Sequence, residues 1–106
     1  MHVAVSTRLD ALAKLSRRFH VRRLGMFGSA ARGEDFDPTS SDIDFLIEFE
    51  TDADPGMAGF LDVEAALQEV VGRPVDLVDR FAIEQSRNYL RRRQILGDAE
   101  PVYVAR

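Results

Sequence analysis

The run Asp42-Ile43-Asp44-Phe45-Leu46-Ile47-Glu48-Phe49 constrains the fold more than any other segment of the 106 residues. Side chains alternate between the two faces of a strand. Ile43, Phe45, Ile47 and Phe49 therefore share one face, and Asp42, Asp44, Leu46 and Glu48 share the other. The apolar row demands cover, whereas the carboxylates demand solvent or a ligand. A sheet covered by helices on one side meets both demands.

The remaining segments supply such cover. Residues 6–20 carry Leu9, Leu12, Leu15 (or Ser16) and Phe19 at helical spacing, with Ser6 or Thr7 as the N-cap. Residues 22–27 read as a short strand broken by Gly28-Ser29, with a short helix over 29–32 ending at Gly33 and a polar loop over 34–41. Residues 57–71 form a second amphipathic helix, with Phe60, Val63 or Glu64, Leu67 and Val70/Val71 as its stripe and Gly72 as its stop. A third strand is expected over 74–79, a third long helix over 82–96 with Gly97 as its C-cap, and an edge strand over 101–104. The expected fold class is α/β (α+β): a small mixed β-sheet with helices packed on one face and a carboxylate-bearing open face. Residues 1–106 are expected to form a single domain.

Composition narrows the function classes. The absence of cysteine excludes a disulfide framework and a thiolate metal site. No segment approaches the ~20 apolar residues of a membrane helix, and Met1–Arg8 has no apolar run of signal-peptide length. No membrane partner is expected, and the expected location is cytoplasmic. The net charge of −4 is unevenly spread. Residues 1–33 hold seven basic and one acidic side chain, residues 34–79 one basic and fourteen acidic, and residues 80–106 six basic and three acidic. Arg17-Arg18, Arg22-Arg23 and Arg91-Arg92-Arg93 are candidates for a basic patch, but the negative total argues against direct nucleic-acid binding. They are read instead as offsetting the acidic block or touching a partner.

Three features carry chemistry. Gly28-Ser29, between a strand and a helix, lets the backbone approach an anion closely, and Arg32 can add a guanidinium. Asp42 and Asp44, two residues apart on a strand, face one way about 6.6 Å apart along the chain and can converge on hard divalent cations. Asp76, flanked by Val75 and Leu77, turns to the same face if its strand neighbours theirs. Three such carboxylates suit two magnesium ions, and the glycine-serine turn suits a nucleotide triphosphate. Such phosphoryl chemistry needs positioning and charge neutralisation more than a covalent nucleophile.

The runs Gly28-Ser29-Ala30-Ala31-Arg32-Gly33-Glu34 and Ser41-Asp42-Ile43-Asp44-Phe45-Leu46-Ile47 closely resemble the DNA polymerase β-like nucleotidyltransferase superfamily, and within it the minimal nucleotidyltransferases, the MNT proteins. Residues Leu67–Val78 and Tyr89–Leu96 are also similar, so the resemblance covers almost the whole chain. It implies a nucleotidyltransferase fold, with Asp42, Asp44 and Asp76 as the magnesium-binding catalytic triad. Gly28 and Ser29 would contact the nucleotide phosphates, and Arg32 would add a further phosphate contact. The implied reaction moves AMP from ATP to an acceptor hydroxyl and releases pyrophosphate. Many members of the family are antitoxins that adenylylate a tyrosine of a HEPN-domain RNase toxin, bind it, or both. The resemblance thus implies a type VII-like antitoxin with a cognate HEPN toxin as partner. Larger relatives carry an additional helical domain, so the acceptor is expected to be presented by that partner. A small-molecule nucleotidyltransferase of the aminoglycoside-modifying kind and a non-catalytic toxin-binding subunit are the competing readings.

Overall fold

The computed structural model describes residues 3–27, 42–53 and 55–105. A short helix α1 (Val3–Ser6) leads into α2 (Leu9–Arg18). Leu12, Leu15 and Ser16 form the buried stripe of α2, and the Ser16 hydroxyl donates to the Leu12 carbonyl at 2.7 Å, which satisfies it inside the core. The expected Ser6 or Thr7 cap is corrected: Ser6 ends α1, and Arg8 holds the N-cap position without a side-chain hydrogen bond. The Arg8 amide instead donates to the Val5 carbonyl at 3.0 Å, because the chain is already turning there. Leu9, expected in the stripe, is exposed. His20 follows the helix at φ 58°, a left-handed conformation that closes it, and its carbonyl accepts from the Glu50 amide at 2.9 Å.

The chain then forms β1 (Val21–Phe27), β2 (Ile43–Phe49), α3 (Gly56–Val71) and β3 (Val75–Asp79). It continues through α4 (Arg80–Glu84), α5 (Tyr89–Asp98) and β4 (Glu100–Val104). The sheet order is β3-β2-β1-β4. β1 is antiparallel to β2 and to β4, whereas β2 and β3 are parallel and joined through α3. A parallel pair needs such a crossover to bring the chain back. The sheet is therefore mixed, as its sequence pattern implied.

Ile43, Phe45 and Ile47 are fully buried in the main core with Leu24 and Met26 of β1, Leu12 of α2, and Val63 and Leu67 of α3. Val63, Leu67 and Val71 recur every four residues, which places one stripe of α3 on the sheet. Gly72 ends that helix at φ 71°, and its amide donates to the Gln68 carbonyl at 2.9 Å.

The other face of the sheet departs from expectation at its centre. Leu46, on the polar side of β2, is buried in a second cluster with Phe27, Ile83 and Ile95. Helices α4 and α5 supply that cover. They replace the single helix expected over 82–96 because one local cap starts α4 early, at Asp79, and a second, at Asn88, starts a new helix inside that span. The Asp79 carboxylate accepts from the Phe81 amide at 2.8 Å, and the Asn88 side-chain oxygen accepts from the Arg91 amide at 3.1 Å. Gly97 lies inside α5, and Ala99 is its C-cap. No helix among the described residues is long and apolar enough to cross a membrane.

Candidate active site

The strand β2 begins one residue after Asp42 and carries Asp44 as its second residue. On the parallel side, Ile43 pairs with Val75, Asp44 with Asp76, and Phe45 with Leu77. Directly paired residues in a parallel ladder face the same way, and neighbouring strands lie about 4.8 Å apart. Ile43, Val75, Phe45 and Leu77 all enter the main core. Asp44 and Asp76 must therefore project together from the opposite face. The Ile43 amide donates to the Pro74 carbonyl at 3.1 Å, which holds the start of the two strands in this register. On the antiparallel side Asp44 pairs with Phe27, the last residue of β1.

Asp76 and Asp42 are exposed, and Asp44 is half-buried. Burial beside the Phe27–Leu46 cluster raises the pKa of Asp44, and the charges of Asp76 and Asp42 raise it further, from 3.8 to about 6. Asp44 thus feels the charge of both of its expected companions. The three do not form a ready-made cage: among the described residues no three acidic or imidazole groups are gathered as a metal cluster. The donor set still fits a hard divalent cation in kind. Two adjacent carboxylates and a third that feels their charge offer only oxygen ligands, and a cation between them would relieve the repulsion that raises Asp44. Gly28, Ser29 and Arg32, together with the expected helix over 29–32, lie outside the described residues.

A groove of about 830 Å³ lies toward the other end of β2, lined in part by Phe49, Met57, Phe60 and Phe81 and including neither Asp44 nor Asp76. Glu48 on its wall meets Arg22 at 3.6 Å, Arg80 at 3.6 Å and Arg23 at 3.9 Å, while Arg80 also donates to Glu84 at 3.0 Å. The three arginines of the groove are thus matched to Glu48 and Glu84, and Asp44 and Asp76 are not part of it. The sequence reading missed the apolar wall beside Asp44. The available signal was Leu46, an isolated apolar residue in an otherwise acidic row.

Comparisons with known proteins bear on this site. A family model for the nucleotidyltransferase domain matches residues 9–100. The protein adenylyltransferase MntA of Thermococcus cleftensis is 38% identical over 71 residues, covering 67% of this chain and 68% of that relative. A solved structure of a minimal nucleotidyltransferase superposes with a TM-score of 0.72 at 30% identity, covering 95% of this chain and 96% of that one. The MNT antitoxin complex containing the tri-AMPylated HEPN toxin of Shewanella oneidensis shares the fold, with a TM-score of 0.61 at 18% identity over 94% of this chain and 72% of that one. The paired strand carboxylates and these matches lead to one conclusion: the chain belongs to the nucleotidyltransferase domain family and is a homologue of MntA-type protein adenylyltransferases.

Proposed function

We propose that this protein is a magnesium-dependent adenylyltransferase that moves AMP from ATP to a hydroxyl of a partner protein, a tyrosine of a cognate HEPN RNase toxin, and so acts as a cytoplasmic antitoxin. The observation that carries the reading is the register of Asp44 with Asp76 on the face of the sheet opposite the main core. The similarity to an MntA adenylyltransferase supplies the donor and the acceptor class.

In the reaction the tyrosine oxygen attacks the α-phosphorus of ATP. The bond from that phosphorus to the bridging oxygen breaks, pyrophosphate leaves, and the phenolic proton passes to solvent or a nearby base. Asp42, Asp44 and Asp76 would hold the magnesium, which when bound activates the attacking oxygen and neutralises the leaving group. Gly28 and Ser29 are assigned to the triphosphate, with Arg32 as a further phosphate contact. Their place in the chain, directly after the strand end that pairs with Asp44, supports this. The half-buried flank of Asp44 keeps part of the site away from water, where charges act more strongly.

Incubation of the protein with magnesium, ATP labelled at the α-phosphate and the HEPN-domain protein of the same organism tests the proposal. Label on a HEPN tyrosine is expected from the wild type, with at least a hundred-fold loss in Asp44→Asn and in Asp76→Asn. In a parallel incubation with an aminoglycoside in place of the HEPN protein, label on the aminoglycoside points to the small-molecule reading. A tight complex without label in any variant points to a binding subunit.

A further inference from the structure

The exposed apolar side chains of this molecule are not evenly distributed, and two of the most exposed are adjacent. Leu90 is 76% exposed, more than any other large hydrophobic residue among those described, and Tyr89 beside it is 57% exposed. Both occupy the first turn of α5, whose other end is anchored by Ile95 to Phe27 and Leu46 on the face that bears Asp44. The same turn begins the run Arg91-Arg92-Arg93. Arg92 is tied back, its guanidinium 5.3 Å from the Tyr89 ring centroid and donating to the Glu84 carbonyl at 3.3 Å. Arg87, Arg91 and Arg93 are exposed and make no ion pair among the described residues.

Two adjacent exposed apolar side chains, with three exposed arginines that make no ion pair among the described residues within three positions of Leu90 in the chain, have the composition of a protein interface, apolar at its centre and charged at its rim. Tyrosine and arginine are the residue types that most often dominate binding energy. The 830 Å³ groove also exposes apolar side chains, Met57 and Phe81, but its arginines are already matched to Glu48 and Glu84. That groove therefore offers a partner no unmatched cation, whereas Arg87, Arg91 and Arg93 at the start of α5 do. A single-stranded nucleic acid would satisfy the arginines, yet its phosphates gain nothing from Leu90 and meet a chain of net charge −4.

Resting on the adenylyltransferase reading, we infer that the first turns of α5, centred on Leu90 with Arg87, Arg91 and Arg93 around it, form the docking surface for the acceptor protein, whose matching surface is an apolar pocket rimmed by Asp and Glu. Its position on a helix anchored at the carboxylate face lets one contact hold the partner while another segment of it reaches Asp44 and Asp76.

The probe is the HEPN-domain protein of the same organism, titrated by calorimetry against the full chain. Leu90→Glu combined with Arg91→Glu is expected to weaken binding at least ten-fold and to lower AMP transfer in parallel, with ATP binding unchanged. Arg91→Gln combined with Arg93→Gln alters only exposed charges and keeps the test intact if the first variant misfolds; it should flatten the dependence of binding on salt. Met57→Glu in the groove should leave binding as in the wild type. Asp44→Asn should bind the partner normally while losing transfer, which separates failure of docking from failure of the chemistry. Four results overturn the inference: unchanged binding in both α5 variants, equal loss in Met57→Glu, no binding of the HEPN protein by the wild type, or α5-dependent binding of a single-stranded RNA oligonucleotide in its place.

Discussion

At the scale of single residues, Asp44 concentrates the conflict between stability and function. It is flanked by an apolar cluster on one side and by Asp76 and Asp42 on the other, and its pKa is raised to about 6. A carboxyl with a raised folded pKa binds its proton more tightly in the folded state. It therefore favours the fold fully below its unfolded value of 3.8, and that contribution is lost as pH rises through about 6. Asp44→Asn removes the penalty. Without magnesium it is expected to stabilise the protein at neutral pH by about 1 kcal/mol after allowance for solvent screening. Thermal melts over about pH 4 to 8 check this, since the advantage should shrink toward the acid end. Magnesium should raise the melting temperature of the wild type and not that of Asp44→Asn, because only a cation bound to the folded state stabilises it.

At the scale of elements, each junction has an identifiable local cause. Gly72 ends α3 in the left-handed region, and nothing lies within 4 Å of the place a Cβ would take, so Gly72→Ala meets no clash but does meet backbone strain. It should cost about 1 kcal/mol in urea denaturation. Glu48 draws Arg22 and Arg23 of β1 and Arg80 of α4 onto β2. Glu48→Gln should cost roughly 0.5–1 kcal/mol at low salt and less at high salt, as partly exposed pairs are screened. The elements themselves were legible wherever one period dominated: β2 and α3 follow their apolar rows closely. The split of the third helix was harder to read. Asn88 takes the Arg91 amide over a distance of one turn and starts a new helix there, a local effect that apolar periodicity does not register.

At the scale of the whole molecule, the sheet has two unequal cores, and they should fail differently. Phe45 is fully buried at the centre of the larger one, and Phe45→Ala should cost about 3–5 kcal/mol, a large share of a small domain's stability. Ile95→Ala in the smaller cluster should cost about 2–4 kcal/mol, and hydrogen exchange should show α5 losing protection before β1 and β2 do. Equal loss of protection across both cores would contradict the separation.

Sequence by itself determined which residues could face which way. The alternation in β2 separates Ile43, Phe45 and Ile47 from Asp44, and the pattern in β3 separates Val75 and Leu77 from Asp76, because a strand has no other way to place neighbouring side chains. Only the tertiary structure decided that β3 lies beside β2 in the register that pairs Asp44 with Asp76, and that α4 and α5 fold back over Leu46. Strand order and register depend on contacts between segments distant in the chain, and no local period encodes them.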